Sequence, residues 1–153
     1  MDINRIVEQL KQDEDFKSKP YWDKKQWTYG YGCKAPGPKA SIAEDMAAEL
    51  LAKRTTQAIS EFQHLFEYHV HKLNEVRQEA FVNMVFNMGP GSPKNPGAGG
   101  LSSFVNTLRL IFSVDEPEWK RVADNLRQSK WYRQVGSRAV RICKEIETGE
   151  RAA

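Results

Sequence analysis

Residues 20–33 read PYWDKKQWTYGYGC, and this stretch decides the fold class. Aromatic side chains alternate with small or polar ones, and glycines end the run. Alternation of that kind is the period of a strand with one face covered, not of a helix. The stretch predicts a β-hairpin with its turn near Asp23 to Gln26 and a return strand through Trp27, Tyr29 and Tyr31. KAPGPKA (34–40) then leaves room for little more than a turn.

The remaining segments have helical spacing. Upstream, residues 2–14 place Ile3, Ile6, Val7 and Leu10 on one face, with Asp2 available as a cap. The end of this helix breaks a local rule. Asp13, Glu14 and Asp15 crowd the C-terminal turn, where the helix dipole disfavours negative charge, and such breaches often mark function. Downstream, Ser41 and Glu44 suggest a capping box opening a helix over 41–62, with Met46, Leu50, Ala58 and Phe62 inward. That helix would span about 33 Å, long enough to join two lobes. Residues 74–88 (NEVRQEAFVNMVFNM) are apolar on most faces and predict a buried central helix. GPGSPKNPGAGG (89–100) holds five of the ten glycines and three of the seven prolines, so it is a loop, and a mobile one. Helical spacing resumes over 103–112. It continues past Asp115 and Glu118, two candidate caps, with Trp119, Val122 and Leu126 inward, and then from Ser137 to Thr148, with Gly149 as the stop. The expected architecture is α+β, mainly α: one domain over 1–153. It has a small hairpin lobe at 15–40, an inter-lobe helix at 41–62, and a helical lobe at 63–153 that includes helix 2–14. A cleft between lobes is a common place for a site.

Composition narrows the function classes. Hydrophobic residues make up 40% and charged residues 28%, which excludes wholesale disorder and collagen. No apolar run reaches the roughly 18 residues a membrane span needs, so no stable insertion in a membrane is expected. The N-terminus MDINRIVEQLKQDEDF lacks the pattern of a secretory signal. Cys33 and Cys143 make no disulfide framework, and Cys143 falls in an apolar helical stripe, as packing. His64, His69 and His71 contain no i, i+4 pair, so no metal is expected. The net charge of +3 decides little, but its distribution is uneven. Lys120, Arg121, Arg127, Lys130, Arg133, Arg138, Arg141 and Lys144 face one acid, Asp124. Such a run is either a solvated helix face or a surface for a polyanion.

Glu14, Asp23 and Thr28 are the residues that suggest chemistry. Two carboxylates on different elements are what glycosidic cleavage requires. One donates a proton to the leaving oxygen, and the other steers a water or attacks carbon. By itself such a pair is common. Around it stand Gly30-Tyr31-Gly32 and four longer strings: VRQEAFVNMVFNMG (76–89), SFVNTLRL (103–110), SKWYRQ (129–134) and SRAVR (137–141).

On these strings the chain resembles the bacteriophage-type lysozymes, the endolysins of glycoside hydrolase family 24. That family's pattern is a catalytic Glu, eight residues, Asp, five residues, Thr and a G-x-G hairpin end; here the second interval, Asp23 to Thr28, is four. The resemblance implies that Glu14 is the general acid, Asp23 its partner carboxylate and Thr28 the holder of the attacking water. It implies that Arg138 supports the acid, that Arg141 reaches Asp13, and that Tyr21, Asn87, Trp131 and Tyr132 lie near bound sugar. Cys33 stands where the family usually has His, and the segment between hairpin and long helix is short. The implied function is a muramidase that hydrolyses the β-1,4 bond between N-acetylmuramic acid and N-acetylglucosamine with inversion, for bacterial lysis. The implied partner is peptidoglycan. No cofactor, metal, nucleic acid or stable oligomer is implied, and a monomer is expected. Such an enzyme would wait in the host cytoplasm and act on the wall in the periplasm. Two other readings remain: a weak or inactive lysozyme-fold module that binds cell wall, and a basic helical nucleic-acid-binding protein. Clearing of peptidoglycan separates the first two, and salt-dependent DNA binding tests the third.

Overall fold

The structure is a computed structural model, and it describes residues 1–152. Among them are seven α-helices and one three-stranded antiparallel sheet, so the fold is mainly α with a small β element. The chain divides into two compact units, one over Asp2–Gln57 and one from Ala58 onward.

The first unit opens with α1 (Ile3–Glu14). Asp2 caps it, its carboxylate accepting from the Asn4 and Arg5 backbone N–H groups. Ile6 and Leu10 are its buried residues, one turn apart. Asp15 ends it at φ 51°, a conformation uncommon outside glycine, asparagine and aspartate, which turns the chain away directly after Glu14. β1 (Lys17–Asp23) and β2 (Gln26–Gly30) form the expected hairpin, with Tyr21 opposite Thr28, Trp22 opposite Trp27 and Asp23 opposite Gln26. An irregularity between Lys17 and Tyr21 breaks the register near the base. Where a bare turn was expected, Cys33–Lys34 adds a two-residue β3 beside β2, giving the order β1-β2-β3.

α2 (Glu44–Leu65) starts three residues later than its capping signal suggests, and Ser41 lies outside it. Its register also corrects the expected face. Met46 is 52% exposed and Leu50 only partly covered, whereas Ala47, Leu51, Ala58 and Phe62 are buried. Thr55 completes that stripe, its buried hydroxyl donating to the Leu51 carbonyl at 2.7 Å. A β-branched polar residue hides its hydroxyl this way, so a reading of apolar letters alone skips the position.

The second unit is helical. α3 (Glu75–Met88) buries eight residues, as an all-round apolar segment should. α4 (Val105–Phe112), α5 (Trp119–Arg127), α6 (Lys130–Val135) and α7 (Ser137–Thr148) follow. Glu118 holds the N-cap position of α5 without a side-chain cap bond, and Asp115 lies outside the helix. Gly149 ends α7 in the left-handed conformation, as expected. Arg77 ties this unit together. Its Nε donates to the Ile146 carbonyl at 2.7 Å, its Nη2 to Glu147 at 3.0 Å, and its guanidinium lies 4.5 Å from the Trp119 ring. It thereby joins the start of α3 to α5 and to the open carbonyls at the end of α7. Ile142, Cys143 and Ile146 of α7 are fully buried.

Candidate functional site

In the first unit, Glu14 stands at the last position of α1 and is half-buried. Its carboxyl lies against Gly32. A Cβ built on Gly32 would come 2.5 Å from Glu14 Oε2 and 2.9 Å from its Cδ. Gly32 also has φ +71°, so only glycine satisfies both the backbone and the neighbour. The G-x-G end of the hairpin therefore does more than turn the chain: its second glycine is the floor on which the carboxyl rests.

Asp23 ends β1 in the open. Tyr21 shares its face of the strand, two residues earlier. Partial burial raises the Tyr21 phenol above its usual range, and the charges of Asp23, Glu14 and Cys33 add to the shift. The phenol is thus within electrostatic reach of both carboxylates. Across the hairpin from Tyr21, Thr28 is fully buried, and its hydroxyl donates to the Gln26 carbonyl at 3.5 Å, a long bond. Glu14, Tyr21, Asp23 and Thr28 thus belong to one compact unit. Cys33 is half-buried there, and burial pushes its thiol up, with Arg54 opposing the shift and Glu14 adding to it.

The remaining expected residues belong to the helical unit. Trp131 Nε1 donates to Asn87 Oδ1 at 3.1 Å, and the Trp131 ring meets Phe104 edge-on at 6.3 Å. Arg138 Nε donates to Asn83 Oδ1 at 2.8 Å. Asn83 and Asn87 are one turn apart on α3, so a single helix face holds both Trp131 on α6 and Arg138 on α7. Tyr132 is half-buried, with its backbone N–H capped by the Ser129 hydroxyl. Sequence reading did not single out Gly32, Asn83 or Phe104 for these roles. Gly32 carried a signal in the G-x-G, whereas Asn83 and Phe104 pair with residues far along the chain and leave no local mark.

A cavity of about 420 Å³ opens in the helical unit between Leu65, Tyr68, Pro93, Pro96, Leu108 and Phe112. None of the expected site residues lines it, so its size does not make it the centre of the chemistry. No cluster of His, Cys, Asp or Glu suited to a metal occurs among the described residues.

Comparison with known proteins adds to this geometry. The family described as phage lysozyme matches residues 11–142. Two Dictyostelium discoideum proteins, described as probable T4-type lysozymes 1 and 2, are 32% identical over 77 residues and 34% identical over 79. Those alignments cover 50% and 52% of this chain and 39% and 40% of theirs. The pre-baseplate central spike protein Gp5 of Enterobacteria phage T4 is 26% identical over 170 aligned positions, covering 94% of this chain and 28% of the spike protein. The chain therefore spans less than half the length of each of these relatives.

Proposed function

The chain belongs to the phage lysozyme family, and on that premise we propose that it is a muramidase that cleaves the β-1,4 bond between N-acetylmuramic acid and N-acetylglucosamine in peptidoglycan, in the service of bacterial lysis. The observation that carries this reading is the Glu14 carboxyl resting on Gly32, with Tyr21 of the hairpin in electrostatic reach of Glu14 and Asp23 together.

In this reading Glu14 gives its proton to the glycosidic oxygen as the bond from that oxygen to the anomeric carbon breaks. A water attacks the carbon from the opposite face, and Asp23 takes the proton the water loses. The resulting sugar has inverted configuration. The family pattern gives Thr28 the role of water holder, and its pairing with Tyr21 across the hairpin supports that reading. Tyr21 in the first unit, and Asn87, Trp131 and Tyr132 in the second, are the residues to which this reading gives contact with sugar, and the place of Arg138 in SRAVR gives it a supporting role. No cofactor enters this chemistry.

Glu14→Gln tests it. The amide keeps the shape of the acid but has no proton to give, so clearing of a peptidoglycan suspension should be abolished. Thermal stability should change by only about 1 kcal/mol. Asp15→Asn is the control. It removes a charge from the same turn, asparagine tolerates the left-handed φ, and activity should be retained. A folded Glu14→Gln that clears the wall at the wild-type rate would remove Glu14 from the role of acid. NMR of the first-formed product should show the inverted anomer.

A further inference from the structure

β1 lies at the edge of the sheet and is exposed at six of its seven residues. Trp22 is 56% exposed, an unusual state for the largest apolar side chain. Trp22 is also fixed in place, because its ring meets Trp27 across the hairpin at 5.5 Å and 75°. Neighbouring strand residues point to opposite faces, so Trp22 stands on the face away from Tyr21 and Thr28. The charge around it is one-sided. Residues 16–40 contain six lysines and a single acid, Asp23. Lys17, Lys19, Lys24 and Lys25 are exposed, and none forms an ion pair among the described residues. A rigid aromatic plate beside the unpaired Lys24 and Lys25 of the turn, on a lysine-rich strand, suits a partner that has apolar flat faces and negative charge.

The hairpin tip decides between a lipid surface and a hydrated polymer. Asp23, Lys24 and Lys25 stand at the apex, so tip-first entry into the apolar core of a bilayer would bury three charged groups at high cost, and contact at the headgroup level is the outcome the vesicle comparison separates. A glycan strand asks for no such desolvation. We propose that this outer face of the hairpin docks on the carboxylate-bearing glycan strand of the wall, apart from the bond that is cut. Trp22 stacks on a sugar ring, and the lysines pair with the carboxylates of the strand. The inference rests on the muramidase reading for its choice of glycan.

The test is sedimentation of the full chain with purified insoluble peptidoglycan, in a Glu14→Gln background that leaves the polymer intact. Trp22→Ala should weaken binding about tenfold, and Trp22→Phe should restore most of it because a ring remains. The double variant Lys24→Gln/Lys25→Gln should bind less at low salt and show a weaker salt dependence. Circular dichroism of each variant reports whether the hairpin survives. The proposal fails if Trp22→Ala and the lysine variant both sediment like their parent. It fails equally if the losses appear only on vesicles containing phosphatidylglycerol and not on peptidoglycan. New reducing ends from the Glu14→Gln parent would overturn the catalytic assignment instead, while the binding comparison still decides the docking.

Discussion

Gly32 has no room for a side chain, because the space where its Cβ would stand is filled by Glu14 Oε2. Gly32→Ala therefore strains the backbone at φ +71° and pushes the carboxyl aside. We expect a stability loss of about 1–3 kcal/mol and, on the proposed muramidase reading with Glu14 as the acid, a fall in wall clearing of about 10²-fold, the usual cost of a small misplacement of a reacting group. Retained clearing in a melted-down variant would show that the carboxyl's position does not matter. His69 gives a second prediction at this scale, in the other unit. Its ring stacks on Phe112 at 4.3 Å, and its Nδ1 is buried without a hydrogen-bond partner among the described residues. Burial lowers its pKa from 6.5, with Lys72 and His71 adding to the shift. The folded protein thus binds this proton less readily than the unfolded chain. The stability it contributes is complete above pH 6.5 and is lost as pH falls below that value toward the lower folded one. Melts of wild type and His69→Gln at pH 7.5 and pH 5 should show the wild type losing more of its midpoint. Of these residues the sequence displays the glycine, through the G-x-G, but not what rests on it. Nothing near His69 in the sequence announces that its Nδ1 is enclosed, because Phe112 lies on a later helix.

At the scale of elements, the Gly- and Pro-rich loop is better ordered at its base than its composition suggests. Leu101 N–H donates to the Gly89 carbonyl, and the Ser102 N–H and hydroxyl both donate to the Pro90 carbonyl, the last at 2.7 Å. Gly91 and Gly100 meet backbone to backbone in this neck, so neither position has space for a Cβ. Beyond the neck, Pro93, Lys94 and Asn95 are exposed. Limited trypsin digestion should cut first after Lys94, where local opening costs little. A first cut after Lys53 or Arg54 would mean that α2 is less stable than the loop. The hairpin, α3 and α7 were legible because each carries a clean period and an end signal. α2 was legible as a helix but not in its face, because the buried stripe runs through Thr55 and leaves Met46 outside. The extra strand β3 escaped because two residues are too few to show an alternation.

At the scale of the molecule, one helix serves both compact units: α2 runs Glu44–Leu65, and the division falls after Gln57. The fold class and the family were both legible, the first from one alternating stretch among helical ones, the second from strings such as NMVFNMG. A small lobe and a helical lobe joined by a long helix are what the sequence leads one to expect; where the boundary falls, and with which unit α1 goes, depends on which buried side chains share a core rather than on any local pattern. No helix among the described residues is long and apolar enough to cross a membrane. The closed neck at Gly89–Leu101 has a consequence for engineering. Because the neck, and not the loop's tip, is bonded to the fold, the tip is a socket into which foreign chain can be spliced. Doubling the loop by inserting glycine and serine between Lys94 and Asn95 should cost only about 0.6 kcal/mol of closure entropy. The same insert placed after Gln57 would interrupt a helix both units use, and calorimetry should show its transition lost or moved down by many degrees.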